Sequence, residues 1–400
     1  MQKLRFAHFQ VILENLVQIF INKKQADKII PLSIKNPKFG SKDRKFIASS
    51  SYEIVRNWKL LYSNYQDFGV PQEHELTQVI YNYFISQDFE LPDWTELKNL
   101  TKDNYQNRTS SNDLSILNSF PDWLYNKIKT TYPDNYEEMI KSLSKKAEVL
   151  IRINTTLTNT KEVQEQLLNE GISSETIANY PNALRIIDRP RLTNTKAYQQ
   201  GLFEIQDLGS QEIAPFLGPV TGDYVIDACS GAGGKTLHLA DLMKNDGQIS
   251  SMDIHDFKLK ELRSRAKRNQ VTIIETALIK GKSSLNKYFS KADKLLLDVP
   301  CSGTGVLKRN PDSKWKLTPD FIEEIKSTQS YILEQYSKML KPGGLLVYAT
   351  CSILPEENEL QVDNFLLKHS NYKKVKETYR YPTENLSDGY YMALIQKENL

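Results

Sequence analysis

Cysteine is scarce in this sequence. Three occur among the 400 residues, at positions 229, 301 and 351, and no two of them have the C-x-x-C spacing. An odd number of widely spaced cysteines argues against a disulfide framework and against a zinc site. The same usage is expected of a protein from a reducing compartment. We therefore expect a cytoplasmic protein that binds no metal.

Long apolar runs are also missing. No run reaches the roughly 18 residues that a membrane-spanning helix needs. The N-terminal apolar stretch is similar to a signal peptide, but Glu14, Asn15 and Gln18 interrupt it and no small-residue cleavage site follows. We interpret residues 6–21 as an amphipathic helix and expect no association with membranes.

An excess of one charge is absent from the chain as a whole, which has a net charge of +3. The charge is nevertheless uneven, because the first 60 residues contain 12 Lys or Arg against 4 Asp or Glu. Such a surplus suits a polyanionic partner such as a nucleic acid. A solvated helical face would have the same composition, so charge alone leaves both interpretations open.

The chain is too long for one ordinary domain, and its patterns divide it into three parts. Residues 1–145 have apolar residues at helical spacing, so we expect a helical domain. Residues 146–212 combine two strands with one helix and predict a small α+β subdomain. Strands and helices alternate from 213 to 400, which is typical of an α/β domain with a mostly parallel, doubly wound sheet. The predicted strands of this sheet are 224–228, 248–253, 272–277, 294–298 and 345–350, with a further pair at 373–380 and 389–396.

A glycine-rich turn follows the first of these strands, in the sequence YVIDACSGAGGK from Tyr224 to Lys235. Glycines allow backbone N–H groups to approach a ligand closely at the positive end of the following helix. A P-loop would need a further glycine where Cys229 stands, and the G-x-G-x-x-G spacing of dinucleotide-binding proteins is also absent. The turn therefore predicts a nucleotide-type site of another kind.

Three strands end on an acid, namely Asp227, Asp253 and Asp298. Because the carboxyl ends of parallel strands meet at one edge of the sheet, we expect the three acids to face one crevice. An Asp at the end of the second strand can accept hydrogen bonds from ribose hydroxyls. A helix cap or a solvated loop acid is the alternative. The pattern suits a nucleoside without a triphosphate, such as S-adenosylmethionine.

Two of the three cysteines, Cys301 and Cys351, follow predicted strand ends at the same edge. A thiol beside a methyl donor suggests methylation at carbon 5 of a pyrimidine. A thiolate that adds to carbon 6 makes carbon 5 nucleophilic, and a base then removes the carbon 5 proton before the thiol leaves. Asp298 is placed to assist the addition at the ring nitrogen. The residues alone do not decide which cysteine is the nucleophile.

At this point the chain resembles the RNA cytosine-5 methyltransferases of the RsmB and nucleolar-protein type. The resemblance covers residues from about 145 to 397, and several independent motifs occur in the family's order. It implies a Rossmann-like methyltransferase sheet with a small α+β RNA-binding subdomain. The helices of residues 1–145 are similar to a NusB-like RNA-binding domain. The matching stretches are 201–207 with 210–211, 227–235, 298–305, 308–312 with 314–315, 348–352 with 356–359, and 388–393.

The resemblance also implies roles for individual residues. Cys351 is the expected nucleophile, and Cys301 is expected to serve proton removal or product release. Asp253 is expected on the ribose, and Asp298 near the methyl group and the target base. The residues expected to cradle S-adenosylmethionine are Cys229, Ser230, Gly231, Ala232, Gly233, Gly234 and Lys235.

Two stretches depart from the family pattern. Ser230-Gly231-Ala232 stands where the family usually has Ala-Ala-Pro, which frees the turn. Residues 277–282 lack the acid that usually holds the adenine, so we expect a backbone contact near Ile279 to replace it.

The function that the resemblance implies is methyl transfer from S-adenosylmethionine to carbon 5 of a cytosine in RNA, through a covalent cysteine adduct. We expect 16S ribosomal RNA, free or within a small-subunit particle, and a monomeric enzyme. The alternatives are a transfer RNA methyltransferase and a non-catalytic ribosome assembly factor. Lys308, Arg309 and Lys314, beside Trp315, are candidate RNA contacts. A surface loop anchored by Trp315 is the other interpretation.

Overall fold

The computed structural model describes residues 4–97, 100, 109–382 and 388–399. Its contacts divide the chain into two compact units. The first contains Met1–Lys146 together with Val306–Pro319, and the second contains Ala147–Gly305 and Asp320–Leu400. Among the described residues, no helix combines the length and the apolar character that crossing a bilayer demands.

The first unit is helical, as the apolar spacing predicts. The predicted N-terminal helix is α1, which continues as a π-helical turn through Val17–Ile21. Apolar residues one or two turns apart, such as Ile12 and Leu16, are fully buried in the core of this unit. Its described α-helices are α1 (Phe6–Leu16), α2 (Ala26–Ser33), α3 (Ser41–Arg56), α4 (Trp58–Leu61), α5 (Glu73–Ser86), α6 (Leu114–Leu117), α7 (Asp122–Thr131) and α8 (Tyr136–Ser144).

The segment 306–319 joins the helices of the first unit through specific contacts. Trp315 Nε1 donates to the carbonyl oxygen of Val55 at 2.7 Å. The backbone N–H of Ala26 donates to Asp312 Oδ2 at 3.1 Å. The tryptophan is therefore an anchor, as the alternative interpretation of this loop has it.

Lys314 within this segment is buried, with 1% of its surface exposed. Its Nζ donates to the carbonyl oxygen of Arg56 at 3.0 Å and lies 4.8 Å from the centres of the Phe120 and Trp315 rings. Burial, and then Arg56, lowers the pKa of Lys314 well below its usual value. This placement disagrees with the expected RNA contact, because an ammonium that faces a buried carbonyl is closed off from phosphate.

The neighbouring candidates differ in exposure. Lys308 is also buried, and its carbonyl oxygen accepts a hydrogen bond from Arg56 Nη1 at 3.1 Å. Arg309 is half-buried. Arg309 therefore remains the more accessible of the expected RNA contacts in this segment.

The second unit begins with a small antiparallel sheet in the order β2-β3-β1-β4. The helix α9 (Thr160–Asn169) is capped by Asn159, whose side-chain oxygen accepts from the Glu162 N–H at 3.0 Å. Val163 and Leu167 of α9 pack on the sheet. The elements are β1 (Val149–Ile153), α9 (Thr160–Asn169), β2 (Ser174–Ile177), β3 (Tyr180–Ile186), α10 (Lys196–Gln199) and β4 (Phe203–Ile205).

A seven-stranded sheet in the order β10-β11-β9-β8-β5-β6-β7 forms the rest of this unit. The predicted strands and the closing antiparallel pair are confirmed, with shifts of a few residues at their ends. The elements are α11 (Leu208–Leu217), β5 (Tyr224–Asp227), α12 (Gly234–Leu242), β6 (Gln248–Asp253), α13 (Asp256–Arg268), β7 (Ile274–Leu278), β8 (Ala292–Asp298), α14 (Pro319–Tyr336), β9 (Leu340–Thr350), α15 (Glu359–Lys368), β10 (Tyr372–Arg380) and β11 (Tyr390–Lys397).

The strand order creates a crevice at the end of β5. This strand pairs in parallel with β6 on one side and with β8 on the other. The chain thus leaves β5 in one direction and later returns on its opposite side. Ligands of open α/β sheets bind outside the carboxyl ends of strands at such a switch point.

Candidate active site

A cavity of about 370 Å³ lies at the carboxyl ends of β5, β6, β8 and β9. Both expected catalytic cysteines line it, together with two of the three strand-end acids. The lining residues that matter for the chemistry are Cys229, Lys235, Asp253, Asp298, Cys301 and Cys351. All belong to the second unit.

Two glycines shape the turn between β5 and α12. Gly231 and Gly233 have φ angles of 54° and 88°, a region that side chains disfavour. A Cβ atom on Gly233 would lie 2.0 Å from Leu262 Cδ1, so this glycine permits α13 to pack closely. A Cβ atom on Gly231 would meet no atom within 4 Å. Gly231 thus borders open space, as close approach of a ligand requires.

Some residues of the expected cofactor cradle line the cavity, and others hold the turn in place. Ser230 donates from its N–H and from its Oγ to the Met252 carbonyl oxygen, at 2.9 and 3.1 Å. The Ala232 carbonyl oxygen accepts from Arg265 Nη1 at 2.8 Å. These contacts tie the turn to β6 and α13. Of the seven cradle residues, Cys229, Gly231 and Lys235 line the cavity, and Ser230, Ala232, Gly233 and Gly234 are not among its lining residues.

Asp253 lies at the cavity wall with hydrogen-bonding capacity to spare. Its Oδ2 accepts from the Gly231 N–H at 3.0 Å and its Oδ1 from the His255 N–H at 2.8 Å. An ionised carboxylate has about four acceptor positions, so about two remain for hydroxyl groups. This capacity fits a ribose diol.

Ile279 also lines the cavity, but its N–H donates to the Asp253 carbonyl oxygen at 3.0 Å. A backbone contact from Ile279 to an adenine must therefore use a group other than this N–H.

Asp227 does not face the cavity, contrary to the expectation of three acids in one crevice. It is 1% exposed, and its Oδ2 accepts a hydrogen bond from Thr236 Oγ1 at 2.7 Å. Asp227 therefore fastens the start of α12 to the end of β5. The strand pattern placed all three acids at one edge of the sheet, but side-chain direction separates them.

Burial raises the pKa of Asp227 to about 7, from its usual 3.8. The folded protein thus binds this proton more tightly than the unfolded chain, and stability should fall as the pH rises from about 4 to about 7. Over this pH range the free energy of unfolding should decrease by on the order of 4 kcal/mol. Asp227→Asn should remove it while still accepting from Thr236, so the variant's gain in melting temperature should be larger at pH 8 than at pH 5. An equal difference between variant and wild type at both pH values would contradict this.

Lys235 and Asp298 form an ion pair, with Nζ 2.7 Å from Oδ2. Burial opposes the charge of Lys235, but the Asp298 carboxylate outweighs it and raises the lysine pKa above its usual value. The sequence assigned both residues to the site without pairing them. Because the two residues are 63 positions apart, no local sequence pattern predicts that they pair, and only the fold brings them together.

The two cysteines lie together although 50 residues separate them. Their Sγ atoms are 3.2 Å apart, and the Cys351 N–H donates to Cys301 Sγ at 3.3 Å. The hydrogen bond to Cys351, followed by burial, raises the pKa of Cys301 well above its usual value. Cys301 therefore keeps its proton near neutral pH and can donate it toward Cys351.

Glu357 lies in one of the stretches that match the family, but the sequence analysis predicts no role for it. It is fully buried, and it accepts from the Ser302 N–H at 2.8 Å, from Ser352 Oγ at 2.6 Å and from Gln329 Nε2 at 3.0 Å. Ser302 and Ser352 directly follow the two cysteines. One carboxylate therefore holds both cysteine turns, a role that two adjacent acids after a proline do not indicate.

Two family models match this chain. The Methyltr_RsmF/B-like ferredoxin-like domain matches residues 120–192, and 16S rRNA methyltransferase RsmB/F matches residues 214–396. Ribosomal RNA small subunit methyltransferase B of Vibrio cholerae is 30% identical over 329 residues, which cover 78% of this chain and 75% of that protein. The chain belongs to the RsmB/F methyltransferase family. The resemblance inferred from the motifs is thereby confirmed.

Further relatives and solved structures agree with the RsmB/F assignment. Ribosomal RNA small subunit methyltransferase B of Pasteurella multocida is 34% identical over 292 residues, 69% of this chain. This chain spans 65% of that relative's length, just under two thirds. The crystal structure of PH0851 has a TM-score of 0.83 at 24% identity and covers 99% of this chain and all of that one. NSun6 from Pyrococcus horikoshii, solved with SFG, has a TM-score of 0.65 at 22% identity over 71% of this chain and 100% of that one.

The structural matches confirm the α/β fold with its Rossmann-like sheet. Members of the RsmB/F family are RNA methyltransferases that use S-adenosylmethionine.

Proposed function

We propose that this chain transfers a methyl group from S-adenosylmethionine to carbon 5 of a cytosine in small-subunit ribosomal RNA. The observation that carries the proposal is the pair of thiols, 3.2 Å apart, in the wall of the same cavity as Asp253 and Asp298. The names of the curated relatives favour ribosomal RNA as substrate. We propose further that the enzyme acts as a monomer, and that residues 1–145, NusB-like in character, and 146–212 contribute RNA contacts.

The cavity has the groups that S-adenosylmethionine needs. Asp253 would hold the ribose hydroxyls, and Gly231 leaves open space for close approach. Ile254 and Ile279 give the same cavity an apolar wall suited to an adenine. When bound, the cofactor supplies an electrophilic methyl group. The altered Ser230-Gly231-Ala232 turn therefore retains a usable cradle.

Cys351 is proposed as the nucleophile. Cys351 first gives its thiol proton to the Asp298 carboxylate, and the resulting thiolate bonds to carbon 6. The displaced π electrons pass to ring nitrogen 3, which takes up that proton from Asp298. Cys301 remains a thiol and donates toward the Cys351 sulfur, which stabilises the thiolate before it adds. Lys235 holds Asp298 at the cavity wall throughout.

Cys301 is proposed to act in the second half of the reaction. Once Cys351 has become a thioether, it no longer has the negative charge that helps to hold the proton on Cys301. Cys301 can then lose its proton to solvent and, as a thiolate, take the proton from the methylated carbon 5. The electrons of that C–H bond restore the ring double bond, the bond from sulfur to carbon 6 breaks, nitrogen 3 releases its proton and Cys351 leaves as a thiolate.

The test is transfer of labelled methyl from S-adenosylmethionine to total RNA of a strain that lacks this gene, followed by nucleoside analysis. RNA from the parent strain, already methylated, is the matched control. We expect label in 5-methylcytosine of small-subunit ribosomal RNA, and a parallel assay on small-subunit particles decides between free RNA and particle. Label confined to transfer RNA would establish the transfer RNA alternative. Cofactor binding without label in RNA or particles would favour the assembly-factor alternative.

A further inference from the structure

A second cavity, of about 620 Å³, lies in the same unit and shares no lining residue with the first. Its lining residues lie on the strands β1, β3 and β10, on the helices α11 and α12, and on the turn before β3. The side chains on which its chemistry depends are Tyr180, Phe216, His238, Lys376 and Arg380. The mechanism proposed above uses none of them.

His238 is a buried polar side chain with one ring nitrogen that makes no hydrogen bond to the described residues. It is 8% exposed and lines the cavity, and its Nδ1 has no hydrogen-bond partner among the described residues. Burial, and then Arg152, lowers the pKa of His238 well below its usual value, so the ring is neutral. A polar ligand group in the cavity would supply the hydrogen bond that this buried nitrogen lacks among the described residues.

Lys376 is a cation that lines the same cavity. Its Nζ lies 4.4 Å from the centre of the Phe216 ring. Within the part of the chain that the structure describes, no carboxylate lies within 4.0 Å of this ammonium. By contrast, the nearby Arg380 donates from Nε to Glu212 Oε2 at 2.7 Å, so its charge is already balanced. Lys376 therefore offers an anion site, and the Phe216 ring becomes a stacking surface when a bound phosphate draws the ammonium away from the ring.

The cavity combines the groups that recognise an unpaired nucleotide. A cation next to an aromatic ring suits a phosphate and its base, and stacking tolerates any base because every base has a π-face. Asn179, on the turn before β3, and Asn182, within β3, add amide donors and acceptors. An acidic peptide would use Lys376 but would leave the ring and the amides without a role.

The strand directions bring this cavity to the catalytic edge of the sheet. Strand β10 is antiparallel to β11, and β11 is antiparallel to β9, so β10 and β9 run in the same direction. Arg380, at the carboxyl end of β10, therefore lies at the same edge as Cys351, which follows β9. Both cavities therefore have lining residues at this edge of the sheet.

We propose that this second cavity binds an unpaired nucleotide of the RNA substrate other than the cytosine that is methylated. Its phosphate lies at Lys376, its base stacks on Phe216, and a polar group of the base or sugar satisfies His238. The inference rests on the proposed function, because it identifies the ligand as the RNA substrate.

The variants Lys376→Ala and Phe216→Leu test this site, and Lys373→Ala is the matched control. Lys373 lies on the same strand, is exposed, and faces Glu398 at 3.5 Å. The probe is a fluorescein-labelled single-stranded RNA from the small-subunit sequence, and fluorescence anisotropy of the full-length protein gives Kd at several salt concentrations. We expect each test variant to raise Kd about tenfold. Lys376→Ala should also flatten the slope of log Kd against log salt by about 0.7, and Lys373→Ala should change neither quantity.

Two further measurements separate a nucleotide site from a structural effect. S-adenosylmethionine affinity and melting temperature should match wild type in all three variants, and a parallel fall in either would overturn the assignment. RNA containing 4-thiouridine should crosslink to peptides with Tyr180 or Phe216, and crosslinks elsewhere alone would also overturn it. If the wild type methylates RNA but the two test variants leave Kd and the salt slope unchanged, the cavity does not bind a nucleotide, and the proposed function is unaffected. If the Kd values change as expected but the wild type methylates no RNA, the cavity binds a nucleotide and the proposed methyl transfer is wrong.

Discussion

Cys351→Ala abolishes methyl transfer, by on the order of 10⁴-fold or more, and leaves RNA binding intact. The expected loss is this large because removal of a nucleophile stops the covalent route altogether. Binding is retained because the substitution removes one sulfur atom from a half-buried position and leaves the RNA-binding surfaces unchanged. Methyl transfer is followed with labelled S-adenosylmethionine, and RNA affinity with fluorescence anisotropy.

Cys301→Ala should have the opposite signature. The nucleophile remains and the adduct forms, but release from RNA fails, so protein linked to RNA accumulates as a slow band on a denaturing gel. The double variant Cys301→Ala/Cys351→Ala is the control and should give no such band. A band in Cys351→Ala and none in Cys301→Ala would reverse the roles of the two thiols. This contrast is decisive because the sulfur atoms lie 3.2 Å apart and either could reach the base.

Glu357→Gln should lower the free energy of unfolding by about 3 kcal/mol and reduce kcat about 100-fold. The carboxylate accepts hydrogen bonds from three directions in a fully buried position. A glutamine amide would turn an NH₂ group toward at least one of these donors, which leaves that donor without an acceptor. The two cysteine turns would then no longer be held by one shared hydrogen-bond acceptor, and the distance between their sulfur atoms would vary more.

Two measurements separate the positioning role of Glu357 from general instability. Denaturant unfolding gives the loss of stability, and kcat is measured well below the melting temperature with both substrates saturating. Glu324→Gln, an exposed acid of the neighbouring helix α14, is the control and should leave both quantities near wild type. An unchanged kcat in a destabilised Glu357→Gln would show that this residue supports the fold without positioning the thiols.

Local sequence predicted much of the catalytic unit. Alternating strands and helices identified the doubly wound sheet, since periodicity and glycine turns depend on neighbouring residues. The ends of β5, β6, β8 and β9 were placed closely enough to bring Asp253, Asp298, Cys301 and Cys351 to one edge. The two smaller strands β2 and β4 were missed, because short strands of mixed character give little periodic signal.

The loop 306–319 shows where sequence reasoning failed. Lysines beside a tryptophan have the composition of an RNA contact, and composition says nothing about direction. In the fold Lys314 points into the first unit and donates to the Arg56 carbonyl oxygen. Burial of a charged side chain depends on distant residues, which are 258 positions away in this case.

The sequence by itself therefore determined the family, the sheet and the placement of Asp253, Asp298, Cys301 and Cys351 at one edge, because strand periodicity and ordered motifs are local properties. The tertiary structure alone decided which of these residues act together. It turned Asp227 toward Thr236 and away from the cavity, paired Lys235 with Asp298, and joined the two cysteine turns through Glu357. It also assembled the second cavity from three strands, two helices and the turn before β3. Side-chain direction, burial and pairing depend on contacts between distant segments, and no local pattern records them.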